Sequence, residues 1–274
     1  MGKLKTDDFN LEYTLESGQI FRVSKINGWY YVNTQDKFFK IKQVRNNLEF
    51  YGVNKDFIIN FFSLNEKHTA ILEEINRDPF IHRVITQYRG LRLIKQDPWE
   101  CLISFICSSA SNIPRIKSKL NALSEYFGHK LVLDKIPSFA FPLPGRINDY
   151  EKIKGAKTGF RARYILETNN IIDYERLCSL RDKSYESAKD ELKKFNGVGD
   201  KVADCILLFS LGFYQAFPVD TWIKKIMQLH YFNNKTISNR EIREFGMSYF
   251  GRYAGYAQQY LFVFSRMNDE TWAS

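Results

Sequence analysis

The sequence is poor in cysteine, and the cysteines it has are scattered. Four occur among 274 residues, with no C-x-x-C pair: Cys101, Cys107, Cys178 and Cys205. Iron–sulfur clusters and most structural zinc sites need closely spaced cysteines, so we expect no cluster, no metal and no other cofactor. The thiols should be free and mainly buried, as in a protein of a reducing compartment.

Long apolar segments are also lacking. No run approaches the roughly 18–20 residues that span a bilayer. Residues 1–12 lack the basic and then apolar pattern of a signal peptide. We therefore expect an intracellular protein with no membrane association.

Positive charge and aromatic rings are what the chain has in excess. Its 40 Lys and Arg against 31 Asp and Glu give a net charge of +9, and aromatic residues make up 16% of the sequence. A basic chain favours polyanionic partners such as nucleic acid. Most of the rings belong to the core, but a few could stack on bases or wedge between them.

Hydrophobic patterning separates a β-rich N-terminal part from a helical remainder. Residues 9–62 are predicted to be mainly β, with an Asn27-Gly28 hairpin turn, and the pattern becomes helical from about residue 66. Residues 134–150 are rich in proline and predict a loop. The predicted fold class is α+β, with a small N-terminal antiparallel β domain at 1–75 and a mostly α-helical body at 76–274.

Several helix starts carry clear capping signals. Asp97 precedes Pro98 and Glu100, and Ser238 stands three residues before Glu241 in a capping box. The box precedes a final helix through residues 254–264. A further helix is predicted over 184–195, ending at Gly197.

A Gly-x-Gly turn joins that helix to the next one. Gly197, Val198 and Gly199 form the turn, and residues 184–212 together predict a helix-hairpin-helix. Exposed amides of such a turn, beside a helix N-terminus, suit a phosphate oxygen. Lys201 opens the second helix, where the helix dipole and partial desolvation favour a nucleophilic neutral amine. The alternative is a solvated lysine that only touches phosphate.

Asp220 follows Lys201 by 19 positions and precedes another helical pattern. It could simply cap that helix. A carboxylate near a lysine would also stabilise positive charge that develops on a sugar as its base departs.

Together these segments resemble the helix-hairpin-helix–Gly/Pro-Asp superfamily of DNA glycosylases, and within it the 8-oxoguanine DNA glycosylase/AP lyases. The resemblance rests on residues 197–205 (GVGDKVADC) followed by 218–220 (PVD), and extends to 17–22 (SGQIFR), 90–109 and 253–258 (YAGYAQ). It implies that the β domain packs on the helical body, that Lys201 attacks C1′ and forms a Schiff base, and that β-elimination then cuts the strand. Asp220 would stabilise the sugar cation.

The resemblance also implies a pocket for a base flipped out of the duplex. Cys205 and Phe262 would sandwich the purine, Gln258 would bind its Watson–Crick edge, and the Gly18 carbonyl would accept the N7 hydrogen that guanine lacks. Helical spacing supports two pairs, since Lys201 and Cys205 are four apart, as are Gln258 and Phe262. Without the motif, core packing would be the simpler role for Cys205 and Phe262.

The remaining implied contacts are with the DNA around the lesion. Phe160 would wedge into the duplex, and Arg115 and Arg161 would contact the opposite cytosine. Two positions depart from the family pattern: Ala110 stands where an asparagine contacts that cytosine, and Trp222 stands where a histidine is common near a phosphate. We therefore expect weaker discrimination for cytosine opposite the lesion.

The expected partner is double-stranded DNA containing 8-oxoguanine, bound by a monomer that is located with DNA, in the cytoplasm or nucleoid of a prokaryote. Two other functions stay open. One is a glycosylase for another lesion, because Lys201 does not identify the base. The other is a DNA-binding module that uses the hairpin only for phosphate contacts. A structural protein with incidental basic charge would leave the paired motif unexplained.

Overall fold

The N-terminal part of the molecule is a five-stranded antiparallel sheet. The computed structural model describes residues 1–268. Within them the strand order of this sheet is β1-β5-β4-β3-β2, and its strands are β1 (Gly2–Lys5), β2 (Val23–Ile26), β3 (Trp29–Thr34), β4 (Lys37–Val44) and β5 (Asn47–Tyr51). Alternate residues of the central strands face a core that is distinct from the core of the helical body.

The predicted hairpin turn is confirmed. Ile26 pairs with Trp29, so the turn holds only Asn27 and Gly28. Both have positive φ, 50° and 78°. A two-residue turn of this kind matches the twist of the flanking strands, which explains why Asn-Gly is favoured there.

Helices form most of the rest of the molecule. They are α1 (Leu11–Glu16), α2 (Lys55–Phe61), α3 (His68–Ile75), α4 (Pro79–Gln87), α5 (Pro98–Ser108), α6 (Ile113–Phe127), α7 (Tyr150–Gly155), α8 (Arg161–Ile171), α9 (Tyr174–Ser179), α10 (Tyr185–Leu192), α11 (Asp200–Ser210), α12 (Thr221–Tyr231), α13 (Asn239–Phe250) and α14 (Ala254–Met267), with 3₁₀ turns at Leu180–Asp182 and Gly251–Tyr253. The predicted α+β class is thus confirmed. Among residues 1–268, no helix is long and apolar enough to cross a bilayer.

The capping signals are confirmed as well. The Asp97 side chain accepts a hydrogen bond from the Glu100 N–H at 2.8 Å and begins α5. Ser238 and Glu241 form the reciprocal capping box that begins α13. Such signals are local, because a cap needs only its own helix turn to form.

Two predictions about secondary structure were incomplete. The segment expected to be mainly β contains α1 and α2, each begun by an asparagine cap. The loop expected at 134–150 contains strand β7 (Ile136–Phe139), which pairs with β6 (Lys130–Leu133). Proline is tolerated there because both strands of a two-stranded hairpin are edges.

The helix-hairpin-helix is built from α10 and α11. Gly197 has a φ of +85°, as a left-handed turn requires. A buried ion pair joins the two helices, with Lys189 Nζ 2.8 Å from Asp204 Oδ1. The Tyr185 hydroxyl donates to the same carboxylate at 2.6 Å. These contacts fix the start of α11 relative to α10.

Each of the two cores includes a residue from the other part of the chain. Ile94 belongs to the core beneath the sheet, whereas Phe21, from the N-terminal segment, belongs to the helical core. The division at residue 75 into a β domain and a helical body remains a prediction.

Candidate active site

A cleft of about 890 Å³ lies between the N-terminal segment, the end of α5, the starts of α11 and α12, and one face of α14. Seven of the residues singled out from the sequence line it. They are Gly18, Lys201, Cys205, Asp220, Trp222, Gln258 and Phe262. Residues far apart in the chain thus meet at one place, where the sequence predicted the chemistry.

Lys201 lies in the first turn of α11, with its side chain in the cleft. Its Nζ donates to Ser108 Oγ at 3.2 Å and lies 5.2 Å from the centre of the Phe105 ring. The Ser108 hydroxyl donates in turn to the Phe105 carbonyl at 2.7 Å. Ser108 therefore offers Lys201 only an acceptor lone pair, which holds the amine at the cleft wall.

The Lys201 site depends on the packing of α5 against α11. The rings of Phe105 and Phe209 stack between these helices, with centroids 5.6 Å apart. This contact brings Phe105 beneath the lysine. Ser108 and Phe105 were not predicted as site residues, because no motif spacing relates them to α11.

Asp220 is the N-cap of α12. Its carboxylate accepts from the Ile223 N–H at 2.8 Å. Burial raises the pKa of Asp220 above its ordinary value, while backbone donors and the charge of Lys201 act in the opposite direction. The capping role and a position in the cleft are therefore compatible, and the residue has both.

Cys205 and Phe262 are both part of the cleft wall. The Cys205 thiol is buried, and burial raises its pKa to about 12, so it is a neutral thiol near neutral pH. Lys201, one helical turn away, acts in the opposite direction on this pKa but does not outweigh burial. A neutral thiol and an aromatic ring are both groups that can contact the face of a base.

The backbone conformation of Gly18 favours glycine. It has a φ of +78°, and a Cβ at this position would lie 3.1 Å from Phe262 Cε1 and 3.2 Å from Arg266 Nη1. A larger residue would strain the backbone and would need these side chains to shift by a few tenths of an ångström.

Only one of the two polar atoms of the Gln258 side chain has a hydrogen-bond partner. Its Nε2 donates to the Pro218 carbonyl at 3.1 Å. Its Oε1 is buried and has no hydrogen-bond partner. A buried unpaired acceptor is costly by about 1–3 kcal/mol, which a ligand that donates to it would offset.

The other residues expected to contact DNA lie outside the lining of the cleft. Phe160 is 59% exposed at the start of α8, and Arg115 and Gly199 are exposed, whereas Gly197 is only partly exposed and Val198 is buried. These positions suit a surface that meets a large ligand.

Arg161 is arranged differently. Its side chain is buried, and its guanidinium donates to the backbone carbonyls of Ser109 and Ala110. In this structure it holds the loop after α5 and does not point outward.

No group of three or more His, Cys, Asp or Glu side chains among residues 1–268 is arranged to hold a metal ion. The side chains that line the cleft supply an amine, a carboxylate, and aromatic and amide groups. A helix-hairpin-helix that places a lysine and an aspartate in one cleft is the arrangement that the resemblance to the helix-hairpin-helix DNA glycosylase superfamily implied.

Comparisons with known proteins narrow this class. The family model for the 8-oxoguanine DNA glycosylase N-terminal domain matches residues 3–102. The N-glycosylase/DNA lyase OGG1 of Arabidopsis thaliana is 35% identical over 201 residues, which cover 68% of this chain and 55% of that protein. The chain spans little more than half the length of this curated relative.

Solved structures match over nearly the whole chain. The structure of MBOgg1 with a low-affinity DNA ligand has a TM-score of 0.92 and 34% identity, covering 97% of this chain and 96% of that one. The Clostridium acetobutylicum 8-oxoguanine glycosylase/lyase, in complex with double-stranded DNA containing cytosine opposite 8-oxoguanine, has a TM-score of 0.90 and 33% identity, covering 98% and 99%. The chain belongs to the 8-oxoguanine DNA glycosylase family.

Proposed function

We propose that this protein is a bifunctional DNA glycosylase and AP lyase that removes 8-oxoguanine from duplex DNA and then nicks the strand. The observation that carries the proposal is that Lys201 and Asp220 line one cleft together with the four residues expected to hold the base. An amine nucleophile and a carboxylate are the two groups that the chemistry needs.

Lys201 is the proposed nucleophile. Its neutral amine forms a bond to C1′ of the flipped nucleotide while the bond from C1′ to the base breaks, and the base leaves with the electron pair and takes up a proton. Loss of a proton from the amine and opening of the sugar ring give a Schiff base. Removal of a C2′ proton then breaks the C3′–O3′ bond, and the 3′ phosphate leaves with the electron pair.

Asp220 is proposed to stabilise the sugar in the first of these steps. Positive charge develops on the sugar ring as the base departs, and a carboxylate fixed by a helix N-terminus needs no reorientation to meet it. Its bond to the Ile223 N–H supplies that fixation.

The base is proposed to bind between Cys205 and Phe262. The unpaired Oε1 of Gln258 suits the N–H donors on the Watson–Crick edge of a guanine derivative. The Gly18 carbonyl would accept the N7 hydrogen, which is present in 8-oxoguanine and absent from guanine.

The proposed partner is double-stranded DNA containing 8-oxoguanine. Phe160 would insert into the stack, the hairpin amides of residues 197–199 would bind a phosphate, and Arg115 would face the opposite cytosine. Arg161 would act on that side only through the loop after α5, whose carbonyls it binds. We further propose that the protein acts as a monomer inside the cell, with the DNA that it repairs.

The decisive experiment is borohydride trapping on duplexes that carry 8-oxoguanine opposite each of the four bases. We expect a covalent adduct with the wild-type protein and none with Lys201→Gln, because reduction fixes only a Schiff base. Lys224→Gln is the matched control, since Lys224 lines the same cleft. It should keep the adduct.

Two results would contradict the proposal. An adduct that persists in Lys201→Gln would exclude Lys201 as the nucleophile. A wild-type protein that gives no adduct on any of the four duplexes would leave a glycosylase for another lesion, or a binding module, as the function.

A further inference from the structure

One face of α14 carries three cleft residues at a spacing of four: Gln258, Phe262 and Arg266. The first and last are eight residues apart, a rise of about 12 Å along the helix. Gln258 and Arg266 each have a buried polar atom without a hydrogen-bond partner. These atoms are the acceptor Oε1 of Gln258 and the donor Nη1 of Arg266. The pocket is thus polar at both ends of an apolar wall.

One arm of the Arg266 guanidinium is fixed. Its Nη2 donates to the Glu16 carbonyl at 2.6 Å, and the guanidinium carbon lies 5.8 Å from the centre of the Phe262 ring. The other arm, Nη1, lies beside Gly18, only 3.2 Å from where a Cβ of that residue would be. Arg266 is therefore anchored with a spare N–H next to the backbone expected to recognise N7.

We propose that Arg266 recognises the C8 carbonyl oxygen of the damaged base. The inference rests on the proposed function and adds a specificity residue to it. In 8-oxoguanine the N7 hydrogen and the C8 oxygen are neighbours, one a donor and one an acceptor. Gly18 offers an acceptor and Arg266 a donor side by side. Guanine presents a C–H at C8 and leaves the Arg266 N–H unpaired, which is costly for a buried group.

The test uses single-turnover kinetics with Arg266→Met, which keeps an unbranched apolar chain, and Arg266→Lys, which keeps a donor. Base excision is measured on duplexes with 8-oxoguanine and with 8-thioguanine, whose sulfur is a weak acceptor, and strand cleavage is measured on a duplex with an abasic site. Loss of one hydrogen bond to a buried charged donor predicts a decrease of about 10-fold to 100-fold for Arg266→Met on 8-oxoguanine. We expect less than about a threefold change on the other two substrates, and partial activity in Arg266→Lys.

The experiment distinguishes a failure of the role of Arg266 from a failure of the proposed function. Equal losses on all three substrates, or no loss on 8-oxoguanine, would overturn the role of Arg266, and urea denaturation of each variant shows whether packing was lost. A wild-type protein inactive on 8-oxoguanine would instead overturn the proposed function itself.

Discussion

Ala110 lies in the loop after α5 with a φ of +47°, in the left-handed region. Asparagine tolerates that region better than alanine does. The backbone here is therefore still suited to the asparagine that the family pattern has at this position.

Ala110→Asn should increase discrimination for cytosine opposite the lesion. One additional hydrogen bond to the opposite base predicts an increase of about 5-fold or more in the ratio of excision opposite cytosine to excision opposite adenine. Single-turnover rates on the two duplexes measure this ratio. Ala110→Gly relieves the same backbone strain without adding an amide, and its ratio should stay at the wild-type value; an equal rise in both variants would contradict the explanation.

Arg161 shows why a residue's role is hard to read from a motif. Its position in the sequence implied an outward contact with DNA, but its guanidinium holds the carbonyls of Ser109 and Ala110. Lys119 supports the same loop through the Ser111 hydroxyl at 2.8 Å. Two cations thus shape the loop that carries Ala110, so a change at Arg161 would alter the opposite-base side of the cleft indirectly.

At the scale of elements, the hairpin between α10 and α11 depends on one of its two glycines. A Cβ at Gly197 would lie 2.6 Å from the Tyr164 ring of α8, and the backbone has a φ of +85°. A Cβ at Gly199 would meet nothing within 4 Å. Gly197 and Gly199 therefore differ in how well they would accept a side chain, although both are glycines of the same motif.

Gly197→Ala should lower the free energy of unfolding by about 1–3 kcal/mol, because it combines backbone strain with a clash. Gly199→Ala should cost less than about 1 kcal/mol. Urea denaturation monitored by circular dichroism compares the two. A Gly197→Ala variant as stable as Gly199→Ala would show that Tyr164 can move aside at little cost.

The elements that the sequence predicted well are those with a local physical cause. The Asn27-Gly28 turn, the Asp97 cap and the capping box at Ser238 each depend on a few neighbouring residues. Helices α1 and α2 are short, six and seven residues, and exist because they pack on the sheet. Such elements depend on tertiary contacts that no local pattern encodes.

The residues of the site also divide into those with a local sequence signal and those brought together only by tertiary packing. Lys201 and Cys205, or Gln258 and Phe262, were paired by helical spacing, and the structure places all four in one cleft. Extending the second pair by one more turn would have found Arg266. Ser108 has no such signal, since its relation to Lys201 arises only when α5 packs on α11.

For the molecule as a whole, a buried charge joins the sheet to the helical body. Glu100 of α5 accepts from Arg22 Nη1 at 3.2 Å and from the Gln35 N–H at 2.6 Å. The side chains of Arg22 and Glu100 are only 2% and 8% exposed. Arg22 also follows the segment that carries Gly18, so the junction helps to place the N-terminal wall of the cleft.

Glu100→Gln should destabilise the protein by about 3–5 kcal/mol, because it leaves the buried Arg22 charge without a counter-charge. Glu12→Gln is the matched control: its partner Lys25 and Glu12 itself are 46% and 58% exposed, so the change should cost less than about 1 kcal/mol. Thermal and urea unfolding measure both variants. Similar stabilities would mean that the junction does not depend on the ion pair.

The burial of three cysteine thiols bears on how the whole molecule responds to oxidants. Burial raises the pKa of Cys107 and of Cys205 to about 12 and that of Cys101 well above its ordinary value. Peroxides attack the thiolate, and a protonated, inaccessible thiol reacts slowly. On the proposed function, the lesion arises under oxidative stress, and the cysteine in the base pocket is chemically protected from the same oxidants.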